Sequence, residues 1–276
     1  MTTQATRRGI FLGTLGFGTL GAAGLLTAAR NSSRVLRLPL RTRVEAFKGS
    51  GVWEEVHFEQ ELPVVETAVL ICDMWDNHWC KGAARRVGEL VKVMGPAIDQ
   101  ARAGGVQIIH APSDVMDFYK DYPQRKKMLA LPKVSLPVEC NLTDPPLPVE
   151  NGCDTGDKYF KAWTREHAGL SIGPDDAISD QGTEIYSLLR KQGIGNLLVM
   201  GVHTNVCVLK RTFAIRQMSK WGIRCVLVRD LTDTMYDPKT PPHVAHEQGT
   251  ELVVQHIEKY WCPTTLSAEL TRALRA

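Results

Sequence analysis

A cysteine attacks a carbonyl as a thiolate, and a free thiol with a pKa of about 8.5 is mostly protonated near neutrality. The sequence holds seven cysteines: Cys72, Cys80, Cys140, Cys153, Cys207, Cys225 and Cys262. Only the setting of Cys207 suggests activation. It closes the run Gly201-Val202-His203-Thr204-Asn205-Val206-Cys207. Gly201 permits a sharp turn. Thr204 is a good N-cap candidate, which would put Cys207 at the third helical position. Free N–H groups at a helix start favour a thiolate and can hold the oxyanion of a tetrahedral intermediate. The competing reading is a buried cysteine that packs a helix start. Asp73 is the natural base; its competing roles are a cap or a loop ion pair.

These residues need a frame, and the hydrophobic pattern supplies one. Thr67 to Asp73, Val106 to His110, Leu197 to Gly201 and Arg224 to Asp230 are short apolar runs, the pattern of strands buried on both faces. Helical spacing marks residues 83–103, 184–191, 205–221 and about 243–260, the first three closed by glycine. Alternating strands and helices predict an α/β fold, a Rossmann-like doubly wound, mostly parallel sheet with helices on both faces. Ligands then bind beyond the carboxyl ends of the strands. Three of the four strands end there in polar groups: Asp73, the 201–207 run and Asp230. Asp73 lies one strand from Cys207 in any order that sets the first and third strands side by side.

The domain is expected over residues 65–265. A long excursion at 111–180, rich in Pro, Asp and Gly, interrupts it. Residues 30–64 read as a lead-in without periodicity. Residues 1–29 read as a twin-arginine export signal: Arg7-Arg8 precedes a glycine-rich apolar run and then Ala28-Ala29. That implies the twin-arginine translocation machinery as a partner and an exported, periplasmic location. The competing reading is a retained membrane anchor. The cysteine count is odd, and Cys140 and Cys153 flank a plausible closed loop. Formal net charge is +3, with much of the excess near the N-terminus. No basic patch is interleaved with aromatics, which excludes a nucleic-acid reading.

Asp73 in Cys72-Asp73-Met74-Trp75-Asp76-Asn77, with Gly201-x-x-Thr204-x-x-Cys207-Val208, resembles the isochorismatase-like cysteine hydrolase superfamily. The resemblance spans roughly residues 65–260 and includes nicotinamidases and N-carbamoyl amide hydrolases. It implies a hydrolase of a small amide, ureide or related carbonyl compound, with a catalytic Asp, Lys and Cys. The Asp matches Asp73 and the Cys matches Cys207. It also implies a cis peptide before His203, and an oxyanion hole from the N–H groups of His203 and Cys207. The lysine is the departure, because Asp180 falls at its expected place. Lys158, Lys161 and Arg165 in the excursion are the candidates to supply the charge.

Asp76 and His78 have the spacing of a ligand pair, but a zinc site needs three or four ligands. The expectation is no cofactor, with His78 solvated or packed. Trp75, Trp79 and Trp163 either line a pocket or pack. His246 and His256 read as structural or interface residues. The segment Asp230 to Tyr236 is a candidate for the pocket wall or for a contact in a homo-oligomer. Two classes of function follow: a hydrolase of a small-molecule substrate, or a repurposed domain that binds a ligand or partner through the old cleft. A redox role ranks below both, since no Cys-x-x-Cys occurs.

Overall fold

The computed structural model describes residues 34–276, so the export signal expected at 1–29 lies outside the described residues. Four apolar runs become the centre of one sheet: β3 (Thr67–Cys72), β4 (Gln107–Ala111), β6 (Asn196–Val202) and β7 (Arg224–Asp233). Successive strand side chains point to opposite faces. Val69, Ile71, Leu198, Met200, Val226 and Val228 therefore join one core. Ala68, Leu70, Cys72, Leu197, Val199 and Leu227 join the other. The first core lies under α1 (Lys81–Ala103) and α8 (Ser267–Ala273); the second lies under α4 (Gly182–Lys191), α6 (Ile215–Lys220) and α7 (His246–Tyr260). Both faces are covered, as a parallel sheet requires.

Short strands β5 (Ala177–Ile178) and β8 (Thr264–Thr265) extend the sheet on either side. The stretch expected as a lead-in over 30–64 is not featureless: its described part forms the antiparallel hairpin β1 (Val35–Glu45) and β2 (Trp53–Pro63), paired over eleven positions. Leu36, Leu38 and Leu40 alternate into the core, while Arg37, Arg41 and Arg43 take the other face, the period-two pattern of a half-buried strand. Arg41 and Arg43 converge on the buried carboxylate of Glu258 in α7, with nitrogen–oxygen distances of 2.7 and 3.2 Å. The sheet order is β2-β1-β8-β7-β6-β3-β4-β5, parallel from β8 to β5. After β3, the chain first builds outward through β4 and β5. It then returns to lay β6 on the other side of β3. The β3/β6 boundary is therefore the topological switch point, where open α/β sheets bind ligands.

The excursion carries only α2 (Met116–Tyr119) and α3 (Pro123–Ala130) before β5. It is anchored at separate points: Cys140 N–H donates to Lys220 O, Gly152 N–H to Met235 O and His167 N–H to Met74 O. This separates Cys140 from Cys153. The bridge expected between them is absent; Cys153 pairs instead with Cys80, just before α1, and Cys140 is free and exposed. Among the described residues, no helix is long and apolar enough to cross a membrane.

One buried charge cluster holds β4, β5 and the excursion together. His110 Nδ1 lies 2.7 Å from Glu166 Oε2, and His110 Nε2 lies 3.0 Å from Asp176 Oδ2. Arg102 from α1 completes it at 2.8 Å from Asp176. Burial works against the charge on His110, but the two carboxylates outweigh it and hold its pKa up to about 9. Asp176 is likewise penalised by burial, yet His110 and Arg102 bring it down to about 2.

His110→Gln, which removes the charge, should cost about 3 kcal/mol at pH 6, because a buried pair loses one partner. The His110 contribution is present below its ordinary value of 6.5 and fades as pH rises through about 9. The gap between wild-type and variant urea midpoints should therefore narrow from pH 6.5 to 9. In acid, the Asp176 contribution present above 3.8 should fade toward pH 2.

Candidate active site

Asp73 is the first residue beyond β3, at a positive φ of 48°. Its N–H donates to Ala111 O, and its Oδ1 accepts the Ser113 N–H at 2.6 Å. These bonds turn a fully buried carboxylate across the strand ends toward β6. Cys72 is directly paired with Gly201. Gly201 has φ of 118°, and a Cβ there would run into the carbonyl oxygen of Cys72. Only glycine allows the two strands to stay this close while β6 turns out of the sheet. The Val202–His203 peptide that follows is cis, as the resemblance implies.

The loop then differs from the expected helix start. Thr204 is not an N-cap: its hydroxyl meets Thr232 Oγ1 at 2.8 Å and its N–H donates to Asp233 O. The helix expected over 205–221 is two pieces, α5 (Cys207–Lys210) and α6, with a break between them. Cys207 is thus the first residue of a four-residue helix rather than the third of a long one. Its buried thiol faces the Asp73 carboxylate, close enough for the two groups to act on each other electrostatically. Burial, and then the Asp73 charge, push the thiol well above its usual pKa, and a nearby Arg211 pulls it back. Burial raises Asp73 as well, against Arg211, Cys207 and Ser113.

Arg211 is the cation that sequence reading misses. Its Nε donates to Asp73 Oδ2 at 3.1 Å and its Nη2 to Asp114 Oδ2 at 3.1 Å. The three residues put forward for this charge lie elsewhere. Lys158 is exposed. Lys161 donates to the Asp114 carbonyl at 2.8 Å. Arg165 stacks over Phe118 at 5.6 Å. Asp180 accepts the Asp114 N–H and the Gln181 side-chain amide, so it is spent on the loop. A signal for Arg211 did exist, because it stands four residues after Cys207, the spacing that sets two side chains on one helical face.

The 201–207 loop is braced on its far side. Asn205 Nδ2 donates to Met235 O at 3.0 Å and to Asn151 Oδ1 at 2.6 Å, tying the loop to the segment after β7 and to the excursion. Asp233, at the true end of β7, accepts Arg86 Nε at 2.9 Å and pairs with His246 at 2.8 Å. Asp230, expected at that end, instead accepts the N–H and hydroxyl of Ser267 at the start of α8. It belongs to the helix, because β7 runs on to Asp233.

Asp76 and His78 each have protein partners of their own. Asp76 accepts the N–H groups of Thr164 and Arg165 and the Thr164 hydroxyl. His78 accepts the Cys80 N–H, and burial lowers its pKa to about 4. Its ring stacks against Trp163, itself 4.4 Å from Trp75, and meets the His203 ring edge-on at 4.9 Å. Trp79 packs beside His78. These aromatics form a wall beside the 201–207 loop. Among the described residues, the metal-ligating cluster is Cys80, Cys153 and Asp154. Its sulfurs are bonded to each other, and Asp154 pairs with Arg86 at 2.7 Å.

An Isochorismatase domain family model matches residues 67–240, well over half of the chain. The chain belongs to the isochorismatase family. Among solved structures, a cysteine hydrolase from Pseudomonas syringae pv. phaseolicola 1448A is similar in fold, with a TM-score of 0.51 and 20% identity over 78% of this chain and 94% of that one. An isochorismatase from Pseudomonas putida KT2440 aligns with a TM-score of 0.47 and 15% identity, over 74% and 90%. A nicotinamidase from Staphylococcus aureus aligns with a TM-score of 0.38 and 11% identity, over 70% and 94%. No curated protein matches the chain significantly. In this isochorismatase-family chain, β1, β2 and α8 lie outside the matched span yet pack into the same sheet and core.

Gly201→Ala should destabilise the protein by about 3 kcal/mol. About 1–2 comes from holding a side chain at positive φ, and the rest from overpacking against Cys72. Urea midpoints of the two proteins measure the loss. A change under 0.5 kcal/mol, the surface range, would mean that the β3/β6 contact tolerates a side chain.

Proposed function

We propose that the protein is a cysteine-nucleophile hydrolase of a small amide, ureide or related carbonyl compound. The observation that carries this reading is the placement of the buried Asp73 carboxylate and the buried Cys207 thiol beyond the paired ends of β3 and β6, at the topological switch point. Family membership supports it.

The chemistry runs in two halves. Asp73 takes the proton of Cys207 and the sulfur attacks the substrate carbonyl carbon. Charge develops on the carbonyl oxygen, where the N–H groups of His203 and Cys207 receive it. The carbon–nitrogen bond breaks as Asp73 returns the proton to the leaving amine, which leaves a thioester. Asp73 then takes a proton from water, the hydroxide adds to the thioester, and the acid and the free thiol are released. One buried carboxylate serves as base and acid in turn. Arg211 is already matched by Asp73 and Asp114, and His78 and His203 are held neutral by burial. Such a site favours an uncharged acyl group, with the Trp75, Trp163 and His78 wall to pack it.

Export fits the same reading. The Cys80–Cys153 bridge belongs in an oxidising compartment, and the Arg7-Arg8 leader matches a twin-arginine signal.

A panel of amides and ureides should yield a substrate whose turnover falls at least about a thousandfold in Cys207→Ala, on the scale of losing a nucleophile. Undiminished turnover in that variant refutes the assignment. Asp73→Asn should lose a similar factor. Replacing Arg7 and Arg8 by lysine in the full chain should hold the protein in the cytoplasm of a host with twin-arginine transport, as read by fractionation. Unchanged export refutes that route.

A further inference from the structure

Where the family places its lysine, this chain has an acid already committed to the loop. The charge beside Asp73 comes instead from the nucleophile's own segment. Arg211 follows α5 directly, and the chain turns extended there, with φ of −62° and ψ of 153°. That break ends the helix one turn after Cys207. The Arg211 N–H still donates to Cys207 O at 3.0 Å. Its guanidinium reaches Asp73 with one nitrogen and Asp114 with another. Asp114 is itself fixed: it has φ of 65°, its N–H is held by Asp180 and its carbonyl by Lys161. Both oxygens of Asp73 are thereby assigned, Oδ1 to Ser113 and Oδ2 to Arg211.

We propose that Arg211 is the positioning cation of the Asp73–Cys207 pair, in place of the family's lysine, and that Asp114 orients it and tempers its charge. This rests on the assignment of Cys207 as nucleophile. An arginine differs from a lysine in two ways that matter here. Its planar fork can hold two carboxylates at once, and it keeps its proton at any working pH. Proton transfer therefore falls to Asp73 alone, while Arg211 keeps that carboxylate ionised and offsets the cost of a buried thiolate. The groups facing the thiol are few: Asp73 and Cys72 from the end of β3, His203 from the loop after β6, and Arg211. Those facing Arg211 are Asp73, Asp114 and Cys207. A change at Arg211 or Asp114 should thus appear directly in the thiol.

The test is the pH profile of Cys207 alkylation by iodoacetamide, read by mass spectrometry on the Cys207 peptide, alongside turnover. Arg211→Gln should move the inflection up by about one unit and slow alkylation at pH 7 about tenfold. Arg211→Lys, which keeps a charge, should recover at least half of that shift. Asp114→Asn should move the inflection the other way, because the Arg211 charge is then shared with one anion fewer. An unchanged inflection in Arg211→Gln, or a lysine variant as slow as the glutamine one, overturns the role of Arg211. An Asp114→Asn inflection that does not fall overturns the role of Asp114, and that exposed position gives a folded variant should Arg211→Gln not fold. The two readings fail separately. Turnover surviving in Cys207→Ala removes the nucleophile assignment whatever the alkylation shows, whereas loss of turnover there with a flat Arg211 series removes only this inference.

Discussion

The contact between Cys72 and Gly201 fixes the distance on which the site depends. A parallel ladder sets neighbouring strands about 4.8 Å apart, and the β3/β6 pair keeps that spacing to its last residue. One step beyond it stand Asp73 on one strand and the turn to Cys207 on the other. Because the backbone sets their separation, no flexible side chain has to find the other across a cleft. The same ladder lies at the reversal of strand order, so the loops on either side diverge and leave the strand ends open to a ligand. The buried carboxylate stays put because Ser113 and Arg211 hold its two oxygens.

Burial works in opposite directions in neighbouring parts of this sheet. At His110 it is overcome by two carboxylates, and the ring is a charged tie. At His203 and His78 the nearest ring partner is another imidazole, and both are driven neutral, to about 3 and 4. At Cys207 and Asp73 burial pushes both groups toward their protonated forms, and Arg211 opposes it on both. The difference lies in partners rather than depth, since all of these side chains are nearly removed from water. A site built this way stores its tuning in ion pairs, and ion pairs are sensitive to single substitutions.

Much of this was legible in the sequence where it depends on period and local spacing. The four central strands, α1 and α7 announce themselves as apolar runs and helical stripes, and Asp73 and Cys207 follow from strand ends. What escaped depends on contacts made across the chain. The β1–β2 hairpin has period-two alternation at Leu36, Leu38 and Leu40, but the arginine contacts with Glu258 that tie it to α7 lie some two hundred residues away in sequence. Thr204 looked like a cap because Ser, Thr and Asp serve that role so often, yet Thr232 claimed its hydroxyl. Arg211 escaped because the resemblance places the cation before α4, whereas here it comes from the residue four after Cys207.

The Cys80–Cys153 bond gives the excursion a property that its weak secondary structure would not. Loops with few regular hydrogen bonds are the segments that open first and the places where proteases cut. The bond encloses 73 residues of sequence separation, from the start of α1 to the stretch of the excursion beside the 201–207 loop. Closing a ring of that size restricts the unfolded chain by about 4 kcal/mol in the entropic picture. It also changes what damage means. A single cut anywhere between the two cysteines leaves the piece that carries Asp73 covalently joined to the piece that carries Cys207, so a nicked molecule keeps its two halves together.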